Sequence, residues 1–317
     1  MTKASAPDIR LDSLTDLVEC VPVLVGFHPR ESMVLVAVED GRVVLTARSD
    51  LPPEGVGSVV PQLDAVWRRL PRATIVAMAF SESLVLAWLS LADIDEALPC
   101  DRERVLVHVD RERWYDAPDA DGVRYDAVGS AHLAHAAFSG RIVRASRDEL
   151  RTLVEARRAP ADLLPALERL TARKLRSRDL LVEARALVRA HDSGTGVVEF
   201  DLDQATLLSI ATHDLGFLDA TIGSMTRENA PGRLGLWLHV VRESVPRAAG
   251  PAIVAAGLAA WLAGEGALAT VCLEALGGIR APAAWSGVLE QINADAAHPD
   301  EWEVRRDGVV AERLGVA

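Results

Sequence analysis

Hydrophobic and polar positions follow a strand-like pattern over the first part of the chain. Between Ser32 and Tyr125 the apolar runs are short, rich in β-branched residues and separated by turn residues, as is typical of β-strands. Ser32 to Glu39 is apolar at both alternating sets of positions, which predicts a strand covered on both faces. The Asp40-Gly41 pair then predicts a tight hairpin turn into a second strand over Arg42 to Leu51.

Helices are predicted to alternate with the strands that follow this hairpin. The pattern predicts a helix over Val56 to Leu70, a strand over Ala73 to Phe80, a helix over Glu82 to Ala97, a strand over Arg104 to Asp110, and a short edge strand beginning at Trp114 and Tyr115. Strands that alternate with helices indicate a mixed sheet with helices on its faces.

The hydrophobic period changes after Gly140, where apolar residues begin to recur about every 3.6 residues. Four short helices are expected near the end, over Leu234 to Glu243, Ala252 to Ala263, Ala267 to Leu276 and Ala284 to Asn293. We therefore expect an α/β domain with a mixed sheet over residues 1–145, followed by an all-helical domain of short antiparallel helices over residues 146–317.

Two features of the helical half are predicted to be core. The uncharged run from Ala248 to Gly264 is rich in Ala and Gly, and it falls short of the ~20 strongly apolar residues that a membrane span requires. It therefore predicts a buried helix, and we expect no membrane association. Trp237, Trp261 and Trp285 lie among Ala and Leu at helical spacing, which favours large aromatic side chains that fill space between packed helices.

Composition excludes several classes of protein. The 317 residues are 50% apolar and 25% charged, which is ordinary for a globular chain and excludes disorder over the whole length. Cys20, Cys100 and Cys272 are far apart and form no C-x-x-C pair, which predicts a reducing compartment. The first residues, MTKASAPDIRLDSLTDL, lack the apolar core of a signal peptide. A cytoplasmic location is therefore expected.

One stretch of sequence resembles a known family. Val21 to Val34 reads VPVLVGFHPRESMV, a Val-Pro pair at the end of a helix followed by Leu24, Gly26-Phe27, Pro29 and Ser32. Further points of likeness are Arg48 to Pro52, Gly140-Arg141, Ser146-Arg147, and Ala260 to Leu262 with the glycines and alanines that follow. Together these residues resemble an actinobacterial family designated as a domain of unknown function (DUF4192). The resemblance implies a cytosolic actinobacterial protein, and it assigns no catalytic residue and no cofactor.

Common enzyme motifs are absent from the sequence. It contains no phosphate loop, no G-x-S-x-G nucleophile elbow, no H-E-x-x-H pair and no G-x-G-x-x-G. His132 and His135 lie three residues apart on a predicted helix and could offer two metal ligands, with His108 as a conceivable third. No clear third ligand is visible, so we expect no metal site.

A basic segment lies between Arg141 and Arg189, where 13 cations and 7 acids give a local charge of +6 within a chain of net charge -12. Its densest part runs from Arg173 to Arg178. Such a stripe could contact the phosphates of a nucleic acid. No aromatic residue is interleaved with the cations, so a solvated helical face paired with acidic neighbours is the favoured interpretation, and we do not expect nucleic acid as a partner.

A cluster of polar residues is predicted where the first two strands meet. Its members are His28, Arg30, Glu31, Ser32, Arg48 and Asp50. If the hairpin closes at Asp40-Gly41, paired residue numbers sum to about 81, so Ser32 lies near Ser49 and Glu31 near Asp50. Arginines at this position could hold a carboxylate or phosphate while a carboxylate or His28 moves a proton. The alternative is a structural network in which Arg48 pairs with Asp50 or Glu31.

Two functions from different classes remain open. The missing catalytic motifs and the series of short helices favour a non-enzymatic interaction or adaptor protein with a protein partner. The alternative is a small-molecule binding protein or enzyme that holds an anionic ligand with the loop 26–32, Arg48 and Asp50. An enclosed pocket at these residues would favour the ligand, and a satisfied network would favour the adaptor.

Overall fold

The computed structural model describes residues 13–51, 70–98, 103–174, 176–193, 200–295 and 297–314. Backbone contacts divide the chain into two compact units, residues 1–149 and 150–317. Most of the helix predicted over Val56 to Leu70 lies outside the described residues. The predicted division into domains at residues 145 and 146 stays a prediction.

The first unit is built on a six-stranded mixed sheet, as the sequence predicts. Its strands are β1 (Ser32–Glu39), β2 (Arg42–Asp50), β3 (Thr74–Phe80), β4 (Arg104–Val109), β5 (Arg113–Tyr115) and β6 (Val123–Arg124), in the spatial order β2-β1-β3-β4-β5-β6. Only β3 and β4 pair in parallel, and a helix, α2 (Leu84–Ala97), connects them. This is the crossover that parallel strands require.

Strand β1 lies in the interior of the sheet and contributes a continuous run of buried residues to the core. It pairs with β2 and with β3, and all of its residues from Ser32 to Ala37 are buried. Asp40 and Gly41 form the turn to β2 with φ of 52° and 74°. Positive φ at both turn residues is the geometry that an Asp-Gly hairpin favours.

Two helices position the loop that precedes β1. Helix α1 (Leu14–Val25) continues past Pro22, so it ends three residues beyond the Val-Pro pair at which the family resemblance places its end. Gly26 adopts a left-handed conformation with φ of 82° and donates its N–H to the Pro22 carbonyl, which ends the helix. Helix α3 (Ala131–Phe138) packs against α1, where Ala136 contacts buried Cys20 and Val23.

The described residues of the second unit form helices joined by short loops, with no strand among them. Its helices are α4 (Arg147–Leu153), which begins in the first unit, α5 (Pro160–Ala172), α6 (Ser177–Asp192), α7 (Leu202–Ala211), α8 (Leu215–Gly223), α9 (Ala230–Arg242), α10 (Gly250–Leu262), α11 (Gly266–Ala275), α12 (Ala283–Ala294) and α13 (Trp302–Leu314). The predicted change from strands to helices is therefore confirmed. Of the described helices, none has the length and apolar character needed to cross a membrane.

Helix α10 forms the centre of this unit, and every one of its residues is buried. This confirms the buried helix predicted from the uncharged run. Gly257 lets α10 approach α11 and α12 closely, since a Cβ there would lie 2.6 Å from Leu289 Cδ2 and 3.0 Å from Cys272 Cβ. Trp237, Trp261 and Trp285 are buried, so the prediction that they belong to the core is also confirmed.

Candidate functional site

Four strand ends meet at one edge of the sheet in the first unit. Strand β1 begins there at Ser32, which lies opposite Asp50 at the end of β2 and opposite Phe80 at the end of β3. Phe80 in turn lies beside Val109 at the end of β4. Because β3 and β4 are parallel, this edge holds their carboxyl ends, the position where α/β sheets commonly bind ligands.

The register at this edge differs by one residue from the predicted register. Ser32 pairs with Asp50, and Met33 pairs with Ser49, so paired numbers sum to 82 rather than 81. The predicted sum holds only beside the turn, where Val38 pairs with Val43. Between these regions β2 contains one extra residue, Val44, and this bulge shifts every later pair. The predicted neighbours Ser32 and Ser49, and Glu31 and Asp50, are therefore wrong as strand pairs.

The shifted register brings Ser32, Arg48 and Asp50 to one face. Arg48 donates from Nε and Nη2 to Ser32 Oγ at 3.1 and 2.7 Å, and its Nη2 lies 2.5 Å from Asp50 Oδ1. The guanidinium also lies 5.7 Å from the centre of the Phe27 ring, within cation–π range. We call these four residues, Phe27, Ser32, Arg48 and Asp50, the Arg48 cluster.

Hydrogen bonds within the protein satisfy the hydroxyl at the centre of this cluster. Ser32 is fully buried, and its Oγ donates to the Arg30 carbonyl at 2.7 Å while it accepts from Arg48. The Arg48 side chain is 14% exposed and that of Asp50 is 65% exposed. The cluster is thus a buried hydroxyl and a nearly buried cation, with one carboxylate facing solvent.

Glu31 connects this edge to the end of β3. Its backbone is left-handed, with φ of 41°, and its carbonyl accepts the Leu51 N–H at 2.9 Å. Its carboxylate accepts from Ser81 Oγ at 2.9 Å and from the Glu82 N–H at 3.4 Å. Glu31 therefore ties the loop before β1 to the segment between β3 and α2.

His28 and Arg30 take part in the edge mainly through the backbone. The His28 N–H donates to the Arg144 carbonyl at 3.0 Å, and Arg30 supplies the carbonyl that Ser32 binds. Burial lowers the pKa of His28, and the positive charge of Arg30 lowers it further. Both effects favour a neutral imidazole.

Sequence reasoning missed a second group of side chains beside the first. His108 is buried, its Nε2 lies 2.9 Å from the Ser81 carbonyl, and its ring stacks on Tyr115 at 5.2 Å. Tyr115 donates its hydroxyl to Asp110 at 2.9 Å. The antiparallel pair β4–β5 places Tyr115 opposite His108, and the parallel pair β3–β4 brings His108 to Ser81, so an expected parallel pair would have been the signal to look at the ends of both strands.

Hydrogen bonds fix the charge of Asp110 in this group. Burial by itself raises the pKa of Asp110, but the N–H groups of Glu112 and Arg113, the Tyr115 hydroxyl and the nearby His108 outweigh it, so the pKa is lowered. The two N–H groups lie 2.8 and 2.7 Å from Oδ1. Asp110 is therefore a structural carboxylate that holds the turn between β4 and β5.

Two of the histidines considered as metal ligands, His132 and His108, have different partners. His132 Nε2 is 4.0 Å from Asp16 Oδ1, whereas His108 binds the Ser81 carbonyl within the sheet. Among the described residues, no group of three or more His, Cys, Asp or Glu side chains is arranged to hold a metal ion.

Several cations of the basic segment are paired with acidic side chains. Arg169 binds Asp203 through two hydrogen bonds, Arg173 binds Glu183 in the same manner, and Arg176 Nε lies 3.2 Å from Asp179. These contacts follow the favoured interpretation of a helical surface paired with its acidic neighbours.

Comparison with known proteins adds a family. Residues 15–299 match the profile of a family described as a domain of unknown function (DUF4192). The chain belongs to this family. The match covers both units of this DUF4192 protein, as the likeness at Val21 to Val34 and at Ala260 to Leu262 implies. No curated protein and no solved structure matches this chain.

The chemistry open to the edge of the sheet in this DUF4192 protein is limited by its hydrogen bonds. A serine nucleophile needs its hydroxyl within reach of a base such as histidine. Here His108 contacts the carbonyl of Ser81, while the Ser81 hydroxyl donates to Glu31. Ser81 therefore forms part of the turn from β3 to α2, and its hydroxyl makes no pair with His108.

Proposed function

We propose that this DUF4192 chain is a cytoplasmic, non-enzymatic interaction protein, in which the Arg48 cluster is part of the architecture. At the edge of the sheet Arg48 binds Ser32 and Asp50, and Glu31 accepts hydrogen bonds from Ser81 and the Glu82 N–H. Side chains that fulfil each other's hydrogen bonds in this way rigidify a fold. The two cysteines of the described residues, Cys20 and Cys272, are buried free thiols, which supports a reducing compartment.

The observation that favours an interaction protein is the outer face of α2. Val85 and Leu89 lie one helical turn apart, with 68% and 62% of their surface exposed, and the neighbouring Leu84 is 44% exposed. The opposite side of the same helix is buried through Ala87, Ser90, Leu91 and Ile94. A helix that is apolar on both its inner and its outer face indicates a second surface for binding.

The proposal is tested by thermal unfolding of the full chain with a panel of nucleotides, phosphosugars and carboxylates. We expect no stabilisation of the wild type and a lower melting temperature for Arg48→Ala, because Arg48 supports Ser32 and Asp50. Arg72→Ala is the matched control, since Arg72 is 86% exposed and pairs with Glu39 at 3.5 Å. It should melt like the wild type.

A second candidate function is binding of a small anion at Arg48. The observation in its favour is that Asp50 faces solvent while Arg48 is nearly buried, so a ligand carboxylate or phosphate could replace Asp50 as the partner. In that case an anion from the panel would raise the melting temperature of the wild type and of Arg72→Ala, and would leave Arg48→Ala unchanged. That outcome would replace the interaction protein with a ligand-binding protein.

A further inference from the structure

Two exposed apolar patches in the first unit have opposite charge. The acidic patch consists of Leu84, Val85 and Leu89 of α2 together with Asp93 and Glu96, which follow at helical spacing and are exposed. No Lys or Arg occurs between Leu84 and Ala97. The outer face of α2 is therefore apolar over its first two turns and negative over its last.

The basic patch lies at the end of α3. It consists of Phe138 and Ile142, which are 91% and 68% exposed, and of Arg141 and Arg144, which are their neighbours in the sequence and are half-buried. The chain has five Phe residues, and Phe138 leaves almost all of its apolar surface in contact with water. Aromatic residues and arginine are the types most enriched where proteins bind one another.

The backbone holds the basic patch in a fixed shape. Gly140 has φ of 79°, and the Arg141 N–H donates to the Ala136 carbonyl at 2.8 Å, which closes a tight turn after α3. Arg144 exchanges hydrogen bonds with the loop before β1, donating to the Gly26 carbonyl and accepting from the His28 N–H, each at 3.0 Å. A surface that is ordered before binding loses less entropy when it binds.

From these features we infer that the acidic patch of one copy of this chain binds the basic patch of a second copy. This rests on the proposed function, because the acidic patch contains the interaction surface named there. Apolar side chains of both patches would leave water together, while Asp93 and Glu96 face Arg141 and Arg144. The two patches share no residue, so the contact is head to tail, and a bound pair still offers one free acidic patch and one free basic patch.

Sedimentation velocity of the purified full chain over a concentration series tests this inference. We expect the weight-average sedimentation coefficient of the wild type to rise with concentration and the rise to weaken at high salt. Leu89→Asp and Phe138→Asp should each stop the rise, since each places a charge in one patch. Val304→Asp is the matched control, because Val304 is 79% exposed and lies in the second unit, and it should associate like the wild type.

Mixing the Leu89→Asp and Phe138→Asp variants, neither of which should associate by itself, gives the decisive result. The Leu89→Asp chain keeps an intact basic patch and the Phe138→Asp chain keeps an intact acidic patch, so the mixture should form a one-to-one complex that neither variant forms alone. A contact between identical patches would not be restored by mixing. The inference is overturned if the wild type stays monomeric, if either variant still associates, or if the mixture does not. A monomeric wild type would leave the result of the anion panel, and hence the proposed function, unaffected.

Discussion

Ser32 connects more groups at the edge of the sheet than its size suggests. Its hydroxyl accepts two hydrogen bonds from Arg48 and donates one to the Arg30 carbonyl, all in a fully buried position. Ser32→Ala would leave the guanidinium and the carbonyl without this partner. We expect the free energy of unfolding of the first unit to fall by about 2 kcal/mol, since hydrogen bonds to buried charged groups contribute this much. Calorimetry of the full chain measures the change.

Ser193→Ala provides the control for this substitution. The Ser193 hydroxyl donates to the carbonyls of Arg189 and Ala190 at an exposed helix end, where water can replace it. Its loss should change stability by less than about 0.5 kcal/mol. Equal effects of the two substitutions would contradict a special role for Ser32.

The Asp110 carboxyl is expected to make the folding stability of the protein depend on pH. Its pKa is lowered in the folded chain, so its contribution to stability is complete above the unfolded value of about 3.9 and is lost as the pH falls through the lower folded value. Asp110→Asn keeps an oxygen that can accept the same N–H groups but cannot titrate. The variant should be less stable than the wild type at pH 7, and the difference should shrink below about pH 4. Melting temperatures measured between pH 7 and pH 3 would show it, and a difference independent of pH would argue against this account.

At the scale of elements, the sequence predicts the strands more accurately than their register. The bounds of β1 match the prediction, and β3 and β4 each differ from it by one residue at one end. The bulge at Val44 could not be predicted because Val43 to Arg48 are all half-buried, so β2 has no alternation between a buried and an exposed face. Without that alternation the hydrophobic pattern does not specify register.

Close packing of helix α10 against its neighbours at Gly257 is expected to exclude a larger side chain there. Gly257→Leu would place a side chain where even a Cβ lies 2.6 Å from Leu289 Cδ2, so we expect overpacking to cost about 1–3 kcal/mol. Gly287→Leu in α12 is the matched control, because no atom lies within 4 Å of a Cβ at that position. There the better helix propensity of leucine should leave stability unchanged or raise it by up to about 1 kcal/mol. Calorimetry of both variants tests the prediction, and equal losses would exclude close packing at Gly257.

At the scale of the whole molecule, the sequence predicts which residues end each strand but does not predict which ends meet. Arg48 and Ser32 could be placed together because a two-residue turn joins their strands. Ser81, His108 and Asp110 could not, since their meeting depends on β3 and β4 lying side by side in parallel. Strand order is fixed by packing across the whole sheet, so local patterns in the sequence do not predict it.

The chain divides into two units that we expect to unfold separately. Each unit has its own buried core, centred on β1 in residues 1–149 and on α10 in residues 150–317. Regions with separate cores can unfold as separate cooperative units. We therefore expect two calorimetric transitions, one lowered by Ser32→Ala alone and the other lowered by Gly257→Leu alone. The double variant should show both shifts with nearly additive size, since the two positions lie in different cores. A single transition that both substitutions lower would mean that the two cores unfold as one.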